Sequence, residues 1–139
     1  KKIIAEVSKE SSGYDIKNGP GGIKEIEFLM QYLQMKHAAG RPDLIVHDTM
    51  NAFKRLSKYA ILDEKTIDFL LQSHRFLKAV DTLLRFNEED VVKTDSELLD
   101  VMSGFLQMTS TDMLLKRIEA TRREVYKIAQ TYYEKKNHN

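Results

Sequence analysis

The residues most able to do chemistry lie in one short segment, from Lys17 to Gly22, which reads Lys-Asn-Gly-Pro-Gly-Gly. It leads directly into a predicted helix that begins near Ile23. Amide groups at a helix N-terminus lack intrahelical partners, and the helix dipole adds partial positive charge there. Together with the charge of Lys17, this could hold a phosphate. The segment lacks the Gly-Lys-Ser/Thr of a P-loop and the preceding strand of a dinucleotide fold, so a tight turn between helices is the alternative.

A second candidate group lies on the apolar side of that predicted helix. Glu27, Gln34 and His37 share a side with Ile23, Met30 and Leu33. Because an unpaired buried charge is very costly, Glu27 needs a cationic partner. We expect Arg75 first and Lys17 second, in a buried pair whose loss would cost about 3–5 kcal/mol. A general base is the alternative, but no acid or nucleophile stands beside it.

Within this group we expect Glu27, Gln31 and Arg75 to be buried polar residues with structural roles. A second apolar stripe on the same helix carries Phe28, Tyr32 and Met35, which predicts a helix packed between neighbours. The four histidines have no zinc-protease spacing, and there is neither a cysteine nor a Gly-x-Ser-x-Gly motif. We therefore expect no metal site and no catalytic residue in this chain.

The elements that would position these residues are helices. Long stretches without breakers, and apolar residues at helical spacing, predict an all-α bundle of five or six helices with no sheet. Asp48 or Thr49, Asp63, and a Thr109–Asp112 capping box are the predicted helix starts. The 4-3 apolar spacing from Leu114 to Tyr132 predicts a core helix rather than a coiled coil. We expect breaks at five places: Gly19–Gly22, Gly40–Pro42, Ala60–Asp63, Asn87–Lys93 and Gln107–Ser110.

The organisation is predicted as one helical domain over residues 1–139, with residues 1–13 the end of a linking helix and residues 14–22 a glycine-rich loop. The chain begins at Lys1 rather than Met, and we interpret it as a fragment of a larger protein. A formal net charge of +1 gives no overall attraction to nucleic acid. No apolar run approaches the roughly 20 residues that span a bilayer. With no cysteine, a cytoplasmic location is expected.

The segment from Asp15 to Gln34, DIKNGPGGIKEIEFLMQYLQ, closely resembles a signature of glutamine-synthetase adenylyltransferases. Three later stretches resemble the same family: Gly40 to Leu44, Ser73 to Leu77, and the last helix with Leu114-Leu115 and Arg122 to Val125. The family often has two arginines and a glutamate after Phe-Leu, where this chain has Lys78-Ala79-Val80-Asp81.

The resemblance implies a bifunctional enzyme of two similar halves, each with a nucleotidyltransferase domain followed by a helical domain. One half attaches AMP from ATP to a tyrosine of glutamine synthetase, and the other removes it by phosphorolysis. Catalysis needs an Asp-x-Asp motif that holds Mg²⁺, and this chain has none. The resemblance therefore implies catalytic residues in a preceding domain, with ATP and Mg²⁺ as cofactors of the parent and glutamine synthetase and the PII signal protein as its partners.

On that reading, Lys17, Gly19, Gly21 and Gly22 lie near the nucleotide or at the domain interface. We further expect the loop to be exposed in this chain alone. Two alternatives stay open: the helical domain of the related PII uridylyltransferase, or a helical binding module without chemistry. The residues do not distinguish the adenylylating from the removing half, although a weak tail at Asn139 favours the former.

Overall fold

The structure, a computed structural model, describes residues 13–135, with side chains through Glu134. The described part contains five α-helices, which confirms the all-α prediction. They are α1 (Ile23–His37), α2 (Thr49–Lys58), α3 (Glu64–Phe86), α4 (Leu98–Phe105) and α5 (Thr111–Lys135), with a single 3₁₀ turn at Pro42–Leu44. The predicted linking helix falls almost wholly on residues 1–12, which lie outside the described residues.

The prediction of no sheet was wrong in one small respect. Strands β1 (Gly13–Tyr14) and β2 (Val92–Lys93) pair antiparallel, with Gly13 opposite Lys93 and Tyr14 opposite Val92. Gly13 is thus in a strand rather than at a helix end. Two residues per strand are too few to show the alternating pattern that predicts a strand from sequence. The pair fastens the start of the glycine-rich loop to the connector between α3 and α4.

Helix starts follow the predicted caps with one exception. The Asp48 carboxylate accepts from the Asn51 amide and the Asp63 carboxylate from the Thr66 amide, at 2.9 and 2.8 Å. The cap of α5 is Ser110, whose hydroxyl accepts from the Met113 amide at 3.1 Å. The predicted Thr109–Asp112 capping box was therefore wrong by one residue. Each cap satisfies an amide that has no partner inside its helix.

Three of the helix ends share one geometry. Ala60, Glu88 and Gln107, just after α2, α3 and α4, all have φ near +59°. In each case an amide one or two residues further on donates back to a carbonyl in the last helical turn, as from Ile61 to Leu56. This left-handed turn satisfies carbonyls that the helix leaves open. It explains why α2, α3 and α4 end near the predicted breaks although no glycine follows them.

The core lies where α1 packs against α2, α3 and α5, while α4 packs on α5. Leu114, Ile118, Thr121 and Val125 are all buried, which confirms that α5 is a core helix of the bundle. The second apolar stripe of α1 was overestimated, because Phe28 and Met35 are 57% and 77% exposed. The largest fully buried apolar side chains are Phe53, Ile16, Ile26, Leu29, Leu33, Leu44, Leu56, Leu62, Leu70, Leu77 and Leu84.

The connector after α1 is held by polar contacts on two sides. On one side, the Tyr59 hydroxyl donates to Asp43 at 2.7 Å, and Arg55 and Lys58 lie 3.5 and 3.6 Å from the same carboxylate. The Tyr59 hydrogen bond is the main reason that the pKa of Asp43 lies below its ordinary value. On the other side, the buried Gln34 amide donates to the carbonyls of Leu44 and Val46. The Gly-Arg-Pro-Asp stretch is thus a structural anchor.

Replacing Gln34 with leucine tests this anchor. Gln34→Leu is of similar size but removes both of these hydrogen bonds, although the Leu44 carbonyl still accepts from the Val46 amide, so we expect the free energy of unfolding to fall by about 1–3 kcal/mol. Gln31→Leu is the matched control, because Gln31 lies on the same helix but is exposed. It should change stability by less than about 0.5 kcal/mol. Equal effects of the two variants in urea unfolding would contradict this role of Gln34.

Candidate functional site

The glycine-rich loop is shaped by Asp15. Its carboxylate accepts from the amides of Lys17 and Asn18 at 3.2 and 2.9 Å, and its carbonyl accepts from the Gly19 amide at 2.9 Å. An aspartate that bonds the amides two and three residues on mimics a backbone turn. Ile16, between them, points into the core and is fully buried. The loop is therefore anchored at its start by one polar and one apolar contact.

The amides at the N-terminus of α1 are not available to a ligand. Ile23 and Lys24 donate to the carbonyls of Ile16 and Lys17 at 2.9 and 3.0 Å, and Gly22 donates to Gly19 at 3.0 Å. The Gly21 amide donates to the Glu25 carboxylate at 3.2 Å. The expectation that these amides are free to bind an anion was wrong, because the loop folds back onto the helix and supplies its own acceptors.

The two buried glycines allow a close approach of backbones. Gly21 has φ +74°, and a Cβ built on it would lie 1.9 Å from the carbonyl oxygen of Arg122 on α5. A Cβ on Gly22 would lie 2.4 Å from the Ile16 carbonyl oxygen. Only glycine fits such positions without displacing backbone. The expectation that the loop is exposed in this chain was therefore also wrong: Gly21 and Gly22 are buried, and Lys17 and Gly19 are half-buried.

Arg122 forms the other side of the contact with Gly21. The sequence analysis did not identify it as a site residue. Its side chain is fully buried, its Nε donates to the Pro20 carbonyl at 3.2 Å, and its guanidinium lies 5.6 Å from the centre of the Tyr14 ring. A signal existed, because Arg122 lies four residues after Ile118 and three before Val125. That phase places it on the buried side of α5.

Glu25 links the loop to the end of α5. One carboxylate oxygen accepts from the Gly21 amide, and the other accepts from the Tyr133 hydroxyl at 3.4 Å. Burial, followed by the nearby charge of Glu25, raises the pKa of Tyr133 well above its ordinary value. The Tyr133 ring also packs edge-on against Phe28 and Tyr32. This contact packs two residues of the second apolar stripe of α1, Phe28 and Tyr32, against the end of α5.

Glu27 has a basic neighbour, but not a predicted one. Its carboxylate lies 2.9 Å from Nε2 of His74, and the two side chains are 33% and 16% exposed. Arg75 points away because the next residue on a helix turns by about 100°. Because Glu27 is one-third exposed, the loss of about 3–5 kcal/mol expected on breaking a buried pair does not apply. A pair this open contributes about 0–1 kcal/mol.

The other predicted buried polar residues lie at the surface. Gln31 and Arg75 are both exposed, so neither has the structural role expected of it. Gln34 and Arg122 fill that role instead. The sequence placed Gln34 correctly on the apolar stripe, whereas Gln31 sits one residue past Met30 and faces solvent. Of the residues predicted to form the site, only Glu27 lies beside the glycine-rich loop.

Two open clefts flank the loop. On one side, Pro20, Lys24, Phe28 and Tyr126 line an apolar cleft together with Asn18, Gly19 and Glu25. On the other, Lys17, Ile23, Lys24, Glu27, Lys78, Asp81, Thr82 and Arg85 line a charged cleft between the loop, α1 and α3. Lys17 therefore reaches the charged side, while Pro20 and Gly19 face the apolar side.

Two features are absent from the part of the chain that the structure describes. Residues 13–135 contain no group of three or more histidines, aspartates or glutamates placed to hold a metal ion. None of the helices there is long and apolar enough to cross a bilayer. His138, one of the four histidines, lies outside those residues.

The contact between Gly21 and α5 is testable with a matched pair of glycines. Gly21 and Gly40 both have φ near +75°, but a Cβ on Gly40 would meet nothing within 4 Å. Gly40→Ala should therefore cost only the left-handed strain, about 1–2 kcal/mol. Gly21→Ala should cost at least about 2 kcal/mol more, because backbone must move. Similar urea midpoints for the two variants would show that the loop does not pack tightly on α5.

Comparison with known proteins matches this sequence to a family. Residues 2–133 match the family described as GlnD PII-uridylyltransferase. Among individual proteins, the chain is 28% identical over 130 residues, or 91% of its length, to the bifunctional glutamine synthetase adenylyltransferase/adenylyl-removing enzyme of Methylococcus capsulatus. It is 32% identical over 94 residues, or 68% of its length, to the protein of the same name from Neisseria meningitidis serogroup A.

The alignments cover 14% and 10% of those two relatives, so the chain corresponds to a small part of each. The protein of the same name from Xanthomonas campestris is 37% identical over 83 residues, 60% of this chain. The match to the family covers nearly all the described residues, including the glycine loop and α5. The chain therefore belongs to the GlnD PII-uridylyltransferase family, and its similarity to the glutamine synthetase adenylyltransferases extends over most of its length.

Proposed function

We propose that this chain is the helical domain of a bifunctional glutamine synthetase adenylyltransferase/adenylyl-removing enzyme. In the parent protein it would support and close the nucleotidyltransferase site of the preceding domain. The observation that carries this proposal is the fixed glycine loop, whose amides are all committed within the chain and whose backbone is pressed against α5. Such a loop presents a preformed surface rather than a flexible lid.

The apolar side of the loop suits a domain interface. Phe28 is 57% exposed although its ring edge is held by Tyr133, and Pro20 lies in the same cleft. An exposed aromatic side chain held in one orientation is typical of an interface anchor, because little rotamer freedom is lost on docking. We assign this side to the preceding nucleotidyltransferase domain.

The chemistry itself would belong to that preceding domain. ATP and Mg²⁺ are the expected cofactors of the parent, and an Asp-x-Asp motif that could hold the metal ion is absent from this sequence. The residues of this chain would contribute positioning and charge. Glutamine synthetase is the proposed protein partner, which is supported by its place in the names of the relatives. A role of the PII signal protein, and the cytoplasmic location, belong to the same proposal.

A second candidate is the helical domain of a PII uridylyltransferase, because the matching family carries that description. The two candidates differ in nucleotide and in acceptor. The full-length protein that contains this chain should transfer label from ATP to glutamine synthetase in the presence of Mg²⁺. Transfer from UTP to the PII protein instead would decide for the second candidate. Docking of either protein without any transfer would favour a binding module.

The chain alone is expected to be inactive, since it lacks the catalytic carboxylates. Purified chain incubated with glutamine synthetase, ATP and Mg²⁺ should transfer no AMP above the level of a protein-free control. Measurable adenylylation by the chain would contradict the proposal that catalysis belongs to the preceding domain.

Lys17→Ala in the full-length protein tests the role of the loop. We expect a higher KM for ATP, by about tenfold if one charge-assisted phosphate contact is lost. The melting temperature of the isolated chain should stay nearly unchanged, because a half-exposed lysine contributes little to folding. Lys65→Ala, an exposed lysine at the start of α3, is the control. An unchanged KM, or a large loss of stability, would reduce the loop to a structural turn.

A further inference from the structure

The charged cleft between the loop, α1 and α3 is more basic than the rest of the molecule. It brings together four cationic side chains and two carboxylates, an excess of two positive charges in a chain whose net charge is +1. The cations are Lys17 from the loop, Lys24 from the first turn of α1, and Lys78 and Arg85 from α3. Three separate elements thus direct positive charge at one opening.

The carboxylates in this cleft are already engaged. Glu27 lies 2.9 Å from His74, and Asp81 accepts from Nε of Arg85 at 3.0 Å. Lys17, Lys24 and Lys78, by contrast, form no ion pair with any described residue. Three amino groups at one opening, without carboxylate partners there, form a site that lacks its anion.

The backbone fixes two of these lysines relative to each other. The Lys24 amide donates to the Lys17 carbonyl at 3.0 Å, and the Lys17 amide is itself held by Asp15. Lys78 comes from the middle of a 23-residue helix packed on α1. The three side chains therefore start from rigid positions, so that binding an anion would order little more than the side chains themselves.

We infer that this cleft binds an oligophosphate through the side chains of Lys17, Lys24 and Lys78, with Arg85 at its far end. Lys78 and Arg85 are seven residues apart, about 10 Å along the helix at 1.5 Å per residue. Cations spread over this length suit an extended phosphate chain better than a single phosphate. The amides of the glycine loop play no part, because all are committed elsewhere.

The surroundings of the cleft favour a short phosphate chain over an acidic protein segment. An adjoining cleft shares Lys17, Asp81 and Arg85 but adds Asp15, Glu89 and Asp90. A long acidic peptide lying across the basic cleft would run against these carboxylates, which repel it. A compact oligophosphate can stay on the basic side. If the proposed function holds, the ligand is the triphosphate of the nucleotide, and that identification alone rests on the proposed function.

The test is isothermal titration of this chain with inorganic tripolyphosphate, at low and at physiological salt. Wild-type chain should bind tripolyphosphate more tightly than orthophosphate, and added salt should weaken binding because it screens the charges. The triple variant Lys17→Ala, Lys24→Ala, Lys78→Ala should bind at least about tenfold more weakly. A control that removes three exposed lysines outside the cleft, Lys54→Ala, Lys65→Ala, Lys127→Ala, should bind within about twofold of wild type, since it changes the net charge equally.

Each outcome decides for or against the site. Equal losses in the triple variant and the control would reduce binding to net charge and overturn the inference. Tighter binding of an oligoglutamate peptide than of tripolyphosphate would assign the cleft to an acidic protein segment and also overturn it. Lys78→Gln alone, with its fold checked by circular dichroism, should weaken binding measurably and guards against a triple variant that misfolds. Tripolyphosphate binding without adenylylation by the full-length protein would keep the site while rejecting the proposed function.

Discussion

A close approach of two backbone segments joins residues about a hundred positions apart. Gly21 lies so near the Arg122 carbonyl that no side chain fits between them, and the Arg122 side chain reaches back to the Pro20 carbonyl. This clamp ties the start of α1 to the middle of α5, the first and last of the described helices. It buries Gly21 and Gly22, and the loop amides donate to acceptors within the chain.

Patterns repeated along a helix were enough to predict most of the fold. Asp48 and Asp63 cap their helices as their types and positions indicated, and the spacing from Leu114 to Val125 placed α5 in the core. The errors arose where one contact between distant segments decides the outcome. The two-residue strands have no readable period. The loop amides were expected to be free because their acceptors, the carbonyls of Ile16 and Lys17, become neighbours only when the chain folds back.

The sequence predicted which residues form the glycine-rich loop, but not what those residues do. Lys17 and the glycines do form one local structure, as their spacing suggested. The glycines, however, serve the packing against Arg122 rather than the approach of a ligand. Any positive charge offered to a ligand must then come from side chains, and one of the three lysines, Lys24, gave no sequence signal. A surface lysine on a helix is too common to stand out until tertiary structure shows which element it faces.

The central claim is that the loop is preformed in this chain, before any partner domain or ligand is bound. Native-state hydrogen exchange of the Ile23 and Lys24 amides tests it directly. Both amides donate to loop carbonyls and not to carbonyls within their own helix, so they report the loop rather than α1. The account predicts that they exchange only on global unfolding, as slowly as the core amides of α5. Exchange at the rate of unstructured amides, with the rest of α1 still protected, would contradict it.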